Sequence, residues 1–213
     1  VEAAGLEVAV DRIGNVFGLW ATAENAGEAP LLLGSHIDTV VNAGRLDGCY
    51  GVLAALEVIE TLKATGVRPA RPIAVAAFTG EEGARFAPDM LGSLVFAGGL
   101  SLDEALATLA TDGARLGDEL ARIGYAGTID PGHIHPAAYV ELHIEQGPVL
   151  EDAGLPIGIV EAIAAPTRLK IRVEGTPGHS GTTPMDSRED ALVTAAQIIL
   201  AVREVALSRY GEG

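Results

Sequence analysis

Apolar and polar positions along this chain alternate between a period of two and a helical period, and the changes of period mark out its elements. An apolar run at Leu31 to Leu33 ends in Gly34-Ser35 and reads as a buried strand over 31–37. From Gly51 onward, Val52, Leu56, Ile59 and Leu62 recur at helical spacing, which predicts a helix from about 50 to 64. Gly66 to Pro72 breaks that pattern, and Ile73 to Thr79 is a second apolar strand. Strand, helix, strand is a βαβ unit with parallel strands, so the loops leaving both strands emerge at one edge of the sheet.

Around this unit the pattern is less regular. Residues 2–9 read as the end of a helix, 11–20 as a turn and a short strand, and 22–30 as a polar loop. Between 84 and 137 the spacing gives short helices at 102–109 and 116–123, the first opened by a capping box of Ser101 and Glu104. Tyr139 to Glu145 alternates, with Val140, Leu142 and Ile144 on one face and Glu141, His143 and Glu145 on the other. Composition shifts near Ala162 to Pro166. A strand at 167–175 and an amphipathic helix from about Arg188 to Ser208 come next, so a domain boundary is expected between 1–163 and 164–213.

The chemistry collects at the ends of the first two strands. His36 and Asp38 share a face by strand geometry, Asp47 closes the loop before the helix, and Glu81-Glu82 follows the second strand in a Gly-flanked turn. Any one of these has an ordinary explanation, since Asp before Gly is a turn signal and a His near a strand end is often a surface residue. Together they crowd like charges at one edge, which a cation or a shared proton must stabilise. A dinuclear metal site draws on such a set: a bridging carboxylate, terminal His and carboxylate ligands, and a free carboxylate for proton transfer. His143, near the end of a third strand, is a further candidate ligand, whereas His133 and His135 sit in a loop and read as surface.

Charge narrows the partners. With 14 basic and 29 acidic residues the net charge is −15, which argues against nucleic acid and anionic membrane surfaces. A single cysteine, Cys49, excludes an intrachain disulfide and fits a reducing compartment. No uninterrupted apolar run reaches the length of a membrane span and no leader pattern stands at the start, so a cytoplasmic protein is expected. The chain starts at Val1 and stops at Gly213 just after a helix pattern, and it reads as a fragment. The motifs H-E-x-x-H, G-x-S-x-G and the P-loop lysine are absent.

The ordered motifs GSHIDTV, LDG, TGEEG, ELHIEQGP and GHSGTTPM resemble the hydantoinase/carbamoylase group of the M20 metallopeptidase superfamily. The resemblance covers most of the chain. It implies an α/β fold: an M20-type catalytic domain with a central, mostly parallel sheet flanked by helices, plus the start of a smaller α+β lid or dimerisation domain. It also implies two divalent ions, Zn or Mn, with His36 and His143 on one, Asp47 bridging, and Glu82 on the second. Asp38 would orient His36, and Glu81 would be the general base. Gln146 resembles a substrate-contacting glutamine, and His179 a histidine that reaches a partner subunit's active site in dimeric members. The group's final histidine on the second metal, and its carboxylate-gripping residues, come from a later segment. Gly178 stands where many carbamoylases have Asn.

The activity implied is hydrolysis of the ureido (N-carbamoyl) group of an N-carbamoyl-L-amino acid or a similar compound, with release of ammonia and carbon dioxide. Allantoate is a rival substrate. An M20 aminoacylase or dipeptidase, and an inactive metal-binding or dimerisation module, are the other readings. A small-molecule substrate and a homodimer through the lid domain complete the expectation.

Overall fold

The computed structural model describes residues 1–163 and 169–210, and the chain divides into two compact units, Val1–Ile157 and Gly158–Gly213. The boundary expected at 164 opens a stretch, 164–168, that lies outside the described residues.

The first unit is built on one five-stranded sheet. Its strands are β1 (Glu7–Val10), β2 (Val16–Trp20), β3 (Leu31–His36), β4 (Ile73–Phe78) and β5 (Ala138–Val140), in the spatial order β1-β2-β4-β3-β5. β4, β3 and β5 run parallel, while β1 with β2 and β2 with β4 are antiparallel, so in this mixed sheet every strand but β2 runs in one direction. The helix end expected over 2–9 is instead a 3-10 turn, Glu2–Ala4, followed by β1. A β-branched, alternating segment gains more by laddering onto β2 than by coiling, and Glu7 to Val10 pairs with Leu19 to Val16.

β4 shows why the sheet holds together. Its odd residues Ile73 and Val75 enter one core with Leu6 and with Val52, Ala55 and Ile59 of the helix α1 (Cys49–Ala64). Its even residues Ala74, Ala76 and Phe78 enter a second core with Phe17 and Leu32. A strand buried on both faces must be apolar throughout, which is what IAVAAF supplies.

A third cluster joins Ile13 to three short helices, α2 (Leu91–Phe96), α3 (Leu102–Ala107) and α4 (Leu116–Ile123). α2 is too short to show a helical period and escapes the sequence pattern. The cap expected on α3 is present: Ser101 Oγ accepts from the Glu104 N–H at 3.3 Å. α5 (Val149–Ala153) closes the unit.

The alternation over 139–145 predicts a longer strand than the fold contains. β5 pairs only from Ala138 to Val140, opposite Leu31 to Leu33, and the ladder then stops. Beyond it Glu141 is held by side chains, the hydroxyls of Ser35 and Tyr139. The Leu142 carbonyl abuts Gly51, where a Cβ would come within 2.4 Å of it. The chain therefore crosses over the first turn of α1, and that crossing aims His143 at the end of β3.

In the second unit the described regular elements are a 3-10 turn, Met185–Ser187, and the helix α6 (Ala191–Tyr210). The strand expected at 167–175 begins outside the described residues, and 169–175 joins no sheet among the described residues. Within this unit α6 leaves Leu192, Ile199, Leu200 and Val202 exposed. By length and composition alone, Ala191–Arg209 is apolar enough to match a membrane span.

Candidate metal centre

The register of the parallel strands creates the site. His36 at the end of β3 lies opposite Phe78 at the end of β4, so the adjoining segments, 37–47 and 79–82, leave the sheet side by side. His36 is buried, and its Nδ1 lies 2.9 Å from the carbonyl oxygen of Asp38. A carbonyl can only accept, so Nδ1 carries a proton and Nε2 is the nitrogen left to bind a metal, in exchange for any proton it holds. His143 repeats the arrangement, with Nδ1 2.8 Å from the Ile144 carbonyl and Nε2 3.3 Å from Asp47 Oδ1. The two imidazoles run side by side, 5.8 Å between centroids and 26° between planes.

The local backbone explains why His36 fits there. Gly48 has φ +68°, and a Cβ on it would come within 2.3 Å of the His36 ring. Only glycine lets the loop holding Asp47 close over that imidazole before α1 starts. Gly48 and Gly51 are not legible as site residues in the sequence, although Gly directly after a candidate ligand is a signal of close approach.

Two groups of ligand atoms result. His36, Asp47 and His143 form one and His36, Glu81 and Glu82 the other, with ligand atoms within 4.8 Å of one another in each. Asp38 stands behind both: its carboxylate accepts the backbone N–H of Glu81 at 3.2 Å and of Glu82 at 3.1 Å. Its Oδ1 is 3.5 Å from His36 Nδ1, farther than its own carbonyl oxygen. Gln146, itself at φ +57°, donates from Nε2 to both oxygens of Asp47. His179 belongs to the second unit, where its Nδ1 accepts from the N–H of Gly181 at 3.0 Å and of Thr182 at 3.2 Å. The proton of the neutral ring is then on Nε2, which makes that atom a donor.

The electrostatics are those of a site awaiting positive charge. Burial pulls the His36 pKa down, but Asp38 and Glu81 outweigh it and lift it to about 9. Burial raises the Glu81 carboxyl above its ordinary range; His36 opposes this, and the charges of Glu82, Asp38 and Glu141 add to it. Asp38 also suffers burial, yet its bonds to His36 and to the two backbone N–H groups hold it below the usual carboxylate range. Glu82 Oε1 is buried with no hydrogen-bond donor among the described residues. A buried carboxylate oxygen left without a donor is costly, and a cation would complete it. The donor set of imidazole nitrogens and carboxylate oxygens fits zinc or manganese.

This chain belongs to the peptidase family M20/M25/M40, whose model matches residues 32–212. Within it, the chain falls in the hydantoinase/carbamoylase group. It is 45% identical over 210 residues to a ureidoglycolate hydrolase of Arabidopsis thaliana, covering 94% of this chain and 44% of that protein. It is 42% identical to an N-carbamoyl-L-amino-acid amidohydrolase of Rhizobium meliloti, covering 97% of this chain and 49% of the other. The crystal structure of a hydantoinase/carbamoylase family amidase from Burkholderia ambifaria superposes with a TM-score of 0.80 at 43% identity, covering 98% of this chain and 51% of that one. The chain thus spans about half the length of the relatives it matches.

Proposed function

We propose that this chain carries the metal-binding half of an amidohydrolase that cleaves the ureido group of an N-carbamoyl-L-amino acid or a similar compound, releasing ammonia and carbon dioxide. The observation that carries the reading is the meeting, at one sheet edge, of the His36, Asp47 and His143 ligand group with a buried Glu82 oxygen that has no hydrogen-bond donor among the described residues. In this reading His36, Asp47, Glu82 and His143 hold two divalent ions, zinc or manganese, with Asp47 between them. Such ions, when bound, polarise a carbonyl and make water a nucleophile near neutral pH.

The chain's own residues do the rest. Glu81, whose carboxyl is raised above its ordinary range, takes the proton of the attacking water and returns it to the leaving nitrogen. Asp38 keeps Glu81 and Glu82 in place through their backbone N–H groups and holds the His36 proton on Nδ1. Gln146 contacts substrate once its amide leaves Asp47. His179 Nε2 donates to the developing oxyanion, in the proposal at the centre of a second copy in a homodimer formed through the smaller unit. The proposed setting is the cytoplasm, in keeping with a single cysteine.

The test is ammonia release from N-carbamoyl-L-amino acids by the protein in the full length in which it is encoded, with and without a chelator. Chelator-sensitive ammonia is expected. Amine release from N-acyl amino acids with no ammonia from any ureido compound would overturn the reading in favour of an acylase or dipeptidase.

A further inference from the structure

Two fully buried polar side chains lie outside the metal centre. Asp11 and Asn15, each 0% exposed, bracket the turn that joins β1 to β2. Asp11 accepts from the N–H of Ile13 at 3.1 Å and of Asn15 at 2.8 Å, and its Oδ2 from Asn15 Nδ2 at 2.9 Å. A carboxylate can only accept here, so the Asn15 amide must turn its NH2 towards Asp11 and its Oδ1 away.

That orientation reaches far along the chain. Asn15 Oδ1 accepts from the Thr79 N–H at 2.9 Å, and Nδ2 also donates to the Gly92 carbonyl at 3.0 Å. Thr79 and Gly92 are the two feet of the loop that carries Glu81 and Glu82. The feet are laced together by Gly92 N–H to Thr79 O at 2.8 Å, Leu91 N–H to Gly80 O at 3.2 Å and Met90 N–H to Glu81 O at 2.6 Å. The base of the loop has no slack: a Cβ on Gly92 would stand 2.2 Å from Asn15 Oδ1 and 2.6 Å from the Thr79 nitrogen. A turn between β1 and β2 needs only the bonds inside 11–15. The two bonds to Thr79 and Gly92 serve the loop.

We infer that Asn15, oriented by Asp11, is a positioning residue that fixes the base of the 79–92 loop and thereby the places of the Glu81 and Glu82 carboxylates. It touches neither substrate nor metal. Its consequence for metal binding rests on the proposed function.

The test compares Asn15→Ala with Asn25→Ala. Asn25 is another buried amide, 3% exposed, that accepts from the Thr22 N–H at 2.8 Å and donates to the Pro69 carbonyl at 2.9 Å, away from the loop. Amide hydrogen exchange of residues 79–92 in chelator-treated protein, and Zn2+ and Mn2+ affinity by titration, are measured for each. Asn15→Ala should speed exchange in the loop about tenfold and weaken one bound ion about tenfold, while Asn25→Ala lowers the unfolding temperature and changes neither. Equal loop exchange in the two variants overturns the inference. If the wild-type protein holds no divalent ion, the metal reading falls and loop exchange alone decides the role of Asn15. Should Asn15→Ala fail to fold, Gly92→Ala, which pushes a methyl group against the same amide, gives the same readout. Unchanged loop exchange in Gly92→Ala likewise overturns the inference.

Discussion

Gln146 Nε2 donates to both carboxylate oxygens of Asp47, at 2.9 and 3.0 Å. An amide N–H and a metal ion compete for the same two carboxylate oxygens, so in the proposed function an ion seated on Asp47 would release the Gln146 side chain into the site. In the proposed function one residue would then serve in turn as a cap on a ligand and as a contact for substrate. Gln146→Ala should leave Zn2+ or Mn2+ affinity undiminished and raise KM about tenfold, the scale of one lost hydrogen bond in a closed site. Calorimetric titration and steady-state kinetics check this, and a fall in metal affinity would contradict it.

In the proposed function Glu81 separates proton transfer from ligation. Its Oε2 lies 3.4 Å from His36 Nε2, yet its raised carboxyl suits a base better than a ligand. Glu81→Gln keeps the size and the backbone N–H that Asp38 accepts. Turnover should fall about 10²- to 10⁴-fold while the metal content stays that of wild type. Retained turnover would remove Glu81 from its role.

The sheet edge is legible in the sequence because its signals are local. Strand ends, a Gly-rich loop and a helix period bring His36, Asp38, Asp47, Glu81 and Glu82 together on pattern alone, and β3, α1 and β4 lie where that pattern predicts. The features that escape it depend on contacts distant in sequence. Asn15 reads as a turn residue until its bonds to Thr79 and Gly92 are seen, 64 and 77 positions away. The alternation of 139–145 misleads because the pairing that would extend β5 beyond Val140 gives way to side-chain bonds at Glu141. β1 is hidden because four residues with three apolar positions fit the end of a helix as well as a strand.

Gly48 sets a steric limit on the centre. Its φ of +68° costs any other residue about 1–3 kcal/mol. The added Cβ would also meet His36 Cε1 at 2.3 Å, so the ring or the Asp47 loop must move. Gly48→Ala should lower both thermal stability and metal affinity, the latter at least tenfold. Gly44, which has nothing within 4 Å of its would-be Cβ, serves as the control: Gly44→Ala should retain wild-type affinity. Differential scanning calorimetry with and without Zn2+ separates the two effects, since the Zn2+-induced shift of the unfolding temperature should shrink only in Gly48→Ala.

Acid should loosen the first unit through Glu119 on α4. Arg122 at 2.9 Å and Arg85 at 2.7 Å hold its carboxyl down from the ordinary 4.5 to about 2. A carboxyl whose folded pKa is depressed adds stability above its unfolded pKa and loses it as pH falls towards its folded pKa. The contribution is therefore full above about pH 4.5 and lost between there and about pH 2. Glu119→Gln should lower the unfolding midpoint at pH 7, and the gap between variant and wild type should close as pH falls through that window. Both arginines are half exposed to solvent, so salt screens the pairs and 1 M NaCl should narrow the gap at pH 7 as well. Urea unfolding at pH 7, 4 and 2.5 for both proteins is the measurement, and a gap that stays constant with pH would rule out the carboxylate as its source.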